Sequence, residues 1–154
     1  MNTYSDIYLQ IVFGVKYRAA MIDNFWMQQL HSYIAAIINK KGHNAIIVGG
    51  IEDHVHILFK YKASEQNISD LVRDIKKSSS TWVHNNFITT CKFAWQDGYG
   101  VFSYSRDQVE NVTRYIKNQD AHHHIGNIDQ KEEFRRLLRV RNIPFDERYL
   151  PDLE

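Results

Sequence analysis

Cysteine is nearly missing from this chain. Cys91 is the only one in 154 residues. The chain can therefore form no internal disulfide and no cysteine-based zinc centre of its own, and Cys91 reads as inert. Long apolar runs are missing too: the longest aliphatic stretch, around Ala45 to Val48, is far too short to cross a bilayer. The opening Met1-Asn2-Thr3-Tyr4-Ser5-Asp6 has neither the basic start nor the apolar core of a signal peptide, so a cytoplasmic location is the expectation. No one sign of charge dominates. The 19 Lys and Arg against 18 Asp and Glu leave a net charge of +1, so any contact with nucleic acid has to come from local patches. There is no internal repeat, linker or low-complexity segment, and no Gly-x-Ser-x-Gly elbow, which disfavours a serine hydrolase.

What is present suits one folded domain with a real core. Apolar residues make up 44% and charged residues 24%. We expect a single domain over residues 1–154, with a catalytic core over about 3–125 and a C-terminal helix and tail over about 126–154.

The apolar periodicity changes along the chain. Tyr4 to Val15 alternates as a strand, with Ile7, Leu9, Ile11 and Phe13 on one face and Tyr8, Gln10 and Val12 on the other. Asp23 or Asn24 then reads as a helix cap. Leu30, Ile34, Ile37, Ile38 and Lys41 follow at helical spacing, and Gly42 ends the helix. Ala45 to Gly49 reads as a short buried strand. Gly49-Gly50 and Glu52-Asp53 read as a turn, and His54 to Tyr61 as the returning strand. A second helix begins near Asn67 and Ser69, with Ile68, Leu71, Val72, Ile75, Trp82 and Val83 on its apolar side.

Phe93 to Phe102 predicts one or two short strands, and Ser105 caps a third helix carrying Val109, Val112 and Ile116. Asp129 starts a last helix with Phe134, Leu137 and Leu138 inside; Pro144 and Pro151 mark an extended tail. The order β-α-β-β-α-β with two further helices predicts an α+β sandwich of ferredoxin-like type, an antiparallel sheet with helices on one face.

Two polar pairs stand out. His54 and His56 are two apart on a strand, so both imidazoles share a face and can reach one metal ion. Two surface or half-buried histidines without a ligand are the plainer reading of that pair. Tyr115 and Gln119 are four apart on a helix and project from one side, with Asn111 and His122 extending the stripe. Alone, that helix reads as a solvated face. Together the pairs have a specific chemistry. Two imidazoles and an amide oxygen can hold a divalent cation with positions left open for phosphate oxygens, and a tyrosine hydroxyl can attack the polarised phosphate. Free tyrosine titrates near pH ~10, so the phenolate needs positive charge nearby.

The stretches Asp53-His54-Val55-His56-Ile57-Leu58, Trp95-Gln96-Asp97-Gly98-Tyr99-Gly100-Val101-Phe102-Ser103 and Tyr115-Ile116-Lys117-Asn118-Gln119, with His122-His123, closely resemble the single-tyrosine HUH transposases of small bacterial insertion sequences. They come in that family's order and spacing, and the resemblance covers nearly the whole chain. It implies a ferredoxin-like fold of HUH-endonuclease type, His54 and His56 as metal ligands, Gln119 as the third ligand and Tyr115 as nucleophile. The implied metal is Mg²⁺ or Mn²⁺. The implied substrate is single-stranded DNA bearing a hairpin at the element ends, excised as a single-stranded circle. A homodimer is implied as well, in which the Tyr115 helix acts in cis or in trans. Glu52 stands where many relatives have proline, which alters the turn rather than the chemistry. The resemblance also fits domesticated relatives acting on repeated palindromes.

Other residues read less sharply. Arg73, Lys76 and Lys77, followed by Ser78-Ser79-Ser80, suit either a DNA-backbone groove or a solvated helix face. The arginines Arg135, Arg136, Arg139 and Arg141 suit DNA contact or pairing with Glu132 and Glu133. Trp82 and Trp95 read as core. Consecutive residues cannot all point at one ion, so His122-His123-His124 reads as structural or DNA-facing rather than a metal cluster. Two other functions compete with the transposase: a non-catalytic nucleic-acid-binding module, which has no need of His, His, Tyr and Gln together, and a small metal-dependent hydrolase, which forms no covalent adduct with DNA.

Overall fold

The computed structural model describes residues 2–16, 22–63, 66–87, 92–119 and 130–144. His122 to His124, Asp129, Cys91 and Pro151 lie outside them.

Strand β1 (Ile7–Gly14) leads to helix α1 (Met27–Lys40), the hairpin β2 (Asn44–Ile51) and β3 (His54–Tyr61), helix α2 (Ile68–Asn86) and strand β4 (Gly100–Tyr104). A single 3-10 turn, Arg106–Gln108, runs into α3 (Val109–Lys117), and α4 (Gln130–Val140) follows. The sheet order is β2-β3-β1-β4, with every neighbouring pair antiparallel. This is the ferredoxin-like sandwich expected from the order of periodicities.

Alternation along the strands divides the sheet into two faces. Leu9, Ile11 and Phe13 of β1 and Val55, Ile57 and Phe59 of β3 bury against Leu30, Ile34 and Ile38 of α1 and Leu71, Val72 and Ile75 of α2. Trp95 closes this core. Its ring packs edge-on against Phe13 and Phe93, and its indole N–H donates to Ser79 Oγ at 2.8 Å. Burying each large aliphatic side chain stabilises the fold by about 1.5–3 kcal/mol. The other face carries Val12, Phe102 and Leu138, with Tyr104, Phe134 and Leu137 packed against them. The two extra helices therefore cover the face opposite α1 and α2, so helices lie on both faces of the sheet and not on one as the element order suggested.

Local chemistry sets the ends of the elements. Asn67 caps α2 by accepting the Asp70 N–H at 2.9 Å; Ser69 lies within the helix. Asp23 caps no helix. It accepts the Phe25 N–H in a turn, and α1 starts at Met27. Gly42 ends α1 with φ +95°, as expected. Asn142, with φ +55°, ends α4 just before Pro144.

The expected turn at Gly49-Gly50 is corrected as well. Gly49-Gly50 is not part of the turn. Strand β2 continues to Ile51, which pairs with His54 and leaves only Glu52-Asp53 between the strands. A Cβ at Gly50 (φ +139°) would sit 2.3 Å from the His54 carbonyl oxygen. A Cβ at Gly49 would sit 2.7 Å from Ile116 Cγ2 and 3.0 Å from the Ile116 carbonyl oxygen of α3. These glycines serve close backbone approach rather than chain reversal.

Candidate active site

The site forms where three elements converge on β3. His54 and His56 point to the α3 side, and both are fully buried. Their neighbours across the sheet leave room: Gly14 lies opposite His54 on β1, and Gly49 lies opposite His56 on β2. Because α3 rests on Gly49, Tyr115 comes down beside His56, with ring centroids 5.9 Å apart. Gln119 follows one turn later and is buried, its Oε1 3.0 Å from His54 Nε2. The two widely separated pairs read from the sequence thus meet within one chain.

Three further residues complete the site. Asp53 Oδ1 accepts from His54 Nδ1 at 2.6 Å, and Gln10 Oε1 accepts from His56 Nδ1 at 2.6 Å. Gln10 is buried, and its amide nitrogen donates to the Tyr104 hydroxyl at 2.6 Å. Glu133 enters from α4. Its Oε1 lies 2.8 Å from His56 Nε2 and 3.2 Å from His54 Nε2. Its Oε2 accepts from Gln119 Nε2 at 3.1 Å and from the Tyr115 hydroxyl. Sequence reasoning did not single out these three. Asp53 was visible only as part of the His-x-His stretch, Gln10 only as a polar residue in an apolar strand, and Glu133 only as an acid expected, with Glu132, to pair with the arginines of the last helix.

This donor set fits a divalent cation. Asp53 and Gln10 take up the Nδ1 hydrogens, which turns the Nε2 lone pairs inward. The Nε2 atoms then face Gln119 and Glu133 oxygens, themselves acceptors. Such a cluster is satisfied by a proton or a cation between its members. His54, His56 and Glu133 each offer a ligand atom, all within 4.8 Å of one another.

The electrostatics follow the same geometry. Burial pulls the His54 imidazole down, but hydrogen bonds and negative charge from Asp53 and Glu133 outweigh it and push it up to about 9. Burial, then the Glu133 charge, hold the Tyr115 phenol above the ordinary tyrosine range. A cleft of about 440 Å³ opens beside Tyr115, lined by Tyr104, Val112, Leu137, Val140 and Arg141 among others.

The basic residues of α2 lie on the opposite side of the sheet. Lys77 is exposed, and Arg73 pairs with Asp70 at 3.1 Å. Lys76 turns back into the fold, donating to the Gln96 and Gly98 carbonyl oxygens at 2.7 Å each and lying over the Phe13 ring. Burial lowers its pKa. Ser79 is buried and donates to the Ile75 carbonyl. On α4, Glu132 pairs with Arg135, Arg136 and Arg139, while Arg141 covers the Tyr104 ring.

The sequence profile of the family described as "Transposase IS200 like" matches residues 3–119. The chain belongs to that family. It is thus a member of a family of DNA transposases, enzymes of the IS200 type. Two solved structures share the fold of this transposase. One is a candidate transposase from Deinococcus radiodurans, 19% identical with a TM-score of 0.60, over 77% of this chain and 95% of that one. The other is a REP-associated tyrosine transposase bound to a REP hairpin, 13% identical with a TM-score of 0.60, over 100% of this chain and 92% of that one. No curated protein matches the chain. Among the described residues of this transposase, no helix is long and apolar enough to cross a membrane.

Proposed function

We propose that this transposase cuts and rejoins single-stranded DNA beside a hairpin, through a 5′ phosphate held covalently on Tyr115. The observation that carries this reading is the meeting of Tyr115 of α3, and Gln119 just past its end, with His54 and His56 of β3 in one buried cluster. Neither a plain binding module nor a hydrolase needs a tyrosine there.

His54, His56 and Gln119 would hold the cation, Mg²⁺ or Mn²⁺, with Asp53 and Gln10 fixing the imidazoles. Bound there, the cation supplies positive charge to the scissile phosphate and favours the phenolate. Tyr115 Oη attacks the phosphorus. The bond to the preceding 3′ oxygen breaks, that oxygen leaves as a hydroxyl, and the 5′ phosphate stays on Tyr115; in net, the phenolic proton moves to the leaving oxygen. Rejoining is the reverse attack by a 3′ hydroxyl. Arg73 and Lys77 are offered as backbone contacts for the DNA, with Lys76 holding the 96–98 segment beneath them. The proposed substrate is an insertion-sequence end or a related palindrome, a reading supported by the hairpin-bound relative. We also propose a homodimer. The chain's own α3 already meets its own His54 and His56, so use of α3 in trans requires it to leave β2 and cross to the partner.

The test uses a labelled single strand carrying a hairpin. Wild type with Mg²⁺ or Mn²⁺ forms an adduct that survives denaturant, chelator stops it, and perfect duplex is inert. Tyr115→Phe keeps its melting curve and loses the adduct by roughly 10³-fold or more. Normal adduct formation by Tyr115→Phe, or in chelator, rejects the reading.

A further inference from the structure

Helix α4 lies outside the segment matched by the family profile, residues 3–119, yet it supplies the only carboxylate that reaches both histidines and the tyrosine among the described residues. Its seat is built for it. A Cβ at Gly100 would lie 2.7 Å from Phe134 Cζ, so the missing side chain makes the place where Phe134 sits. Leu138 packs with Val12 and Phe102, and the Arg141 guanidinium lies 4.6 Å from the Tyr104 ring centroid. Glu133, pinned by this packing, is 3% exposed. A carboxylate at that depth stays only where partners compensate its charge. Its two oxygens divide the partners: Oε1 faces His54 and His56, and Oε2 faces Tyr115 and Gln119.

We propose that Glu133 is the anionic ligand of the divalent cation and, through its second oxygen, the residue that positions the Tyr115 hydroxyl. This rests on the reading of His54, His56 and Gln119 as the cation site. Those three donors are neutral, whereas Mg²⁺ and Mn²⁺ favour hard, charged oxygen ligands, and Glu133 Oε1 is the charged oxygen in reach. With Oε2 on Tyr115, one rigid carboxylate sets the distance between cation and nucleophile. The C-terminal helix thereby becomes part of the reaction centre.

The test titrates the full chain with Mn²⁺ alone, by calorimetry, in wild type, Glu133→Gln, Glu133→Asp and His54→Ala. Glu133→Gln keeps the shape but loses the charge and replaces one acceptor oxygen with an N–H donor. It is expected to bind Mn²⁺ at least about tenfold more weakly. At saturating Mn²⁺, its single-turnover adduct formation falls by a similar factor, and Glu133→Asp recovers part of the affinity. Unchanged Mn²⁺ affinity in Glu133→Gln, beside lost affinity in His54→Ala, overturns the role of Glu133 alone. Unchanged affinity in His54→Ala overturns the cation site on which it rests. Faster adduct formation by Glu133→Gln also overturns the inference, because the carboxylate then restrains the hydroxyl. If either Glu133 variant fails to melt cooperatively, the readout passes to Phe134→Ala with Leu138→Ala. That pair loosens α4 without touching the site, and unchanged Mn²⁺ affinity there overturns the inference as well.

Discussion

Ile116 lies directly over Gly49, so close that a Cβ on Gly49 would meet both its side chain and its carbonyl oxygen. That approach decides where Tyr115 stands, one residue earlier on α3. Gly49→Val is expected to lift α3 from β2. Overpacking costs about 1–3 kcal/mol, lowering the melting temperature by several degrees. Adduct formation falls further than stability, because a shift of about 1 Å at a reacting group costs on the order of 10²-fold. Thermal melts beside single-turnover assays check this. Full activity in Gly49→Val shows that α3 is placed by other contacts.

A pH dependence follows from His54. Its folded-state pKa is raised to about 9 from 6.5. In metal-free protein the stabilisation is therefore fully present below about 6.5 and is lost as pH rises through about 9. The melting temperature in chelator is expected to fall across that window. Mn²⁺ binding runs the other way, since the cation displaces the proton: affinity rises up to about tenfold per pH unit and levels off above about pH 9. Melting curves in chelator and calorimetry from pH 6 to 10 measure both slopes, and a melting temperature flat across the window contradicts the assignment.

Much of the fold and half of the site were legible in the residues. The His-x-His alternation and the four-residue spacing of Tyr115 and Gln119 each place two side chains on one face, and their chemistry brings them together. Glu133 was hidden because its partners lie on β3 and α3, a tertiary contact no local period encodes. Gly49-Gly50 has the composition of a turn, yet the approach of α3 overrides that local preference. Lys76 sits among exposed cations on α2, but its long stem lets it fold back onto the Gln96 and Gly98 carbonyls.

That difference among the α2 cations is measurable. Lys77→Ala is expected to weaken hairpin binding and to reduce the salt slope of log K by about one for the phosphate it would neutralise, with little change in melting temperature. Arg73→Ala behaves alike, since its pair with Asp70 is exposed. Lys76→Ala instead lowers the melting temperature, because it removes two carbonyl hydrogen bonds and a cation over Phe13. Equal effects of all three on stability contradict this division.

The docking of α3 on its own sheet predicts the outcome of a mixing experiment. On the proposed reading, His54→Ala breaks the cation site but keeps the nucleophile, while Tyr115→Phe keeps the cation site but lacks the nucleophile. Each is expected to be inactive alone. Subunits are mixed under exchange, and heterodimers are verified by a size tag on one variant. With α3 in cis, every site in the heterodimer still lacks one component, and no adduct forms. With α3 in trans, one of the two sites combines an intact histidine pair with an intact tyrosine. Random exchange then restores about a quarter of wild-type sites, since about half of the dimers are mixed. The contact of Ile116 with Gly49 and of Tyr115 with Glu133 within one chain leads us to expect no adduct. An adduct on the His54→Ala subunit, recognised by its size, places α3 on the partner's sheet during cleavage.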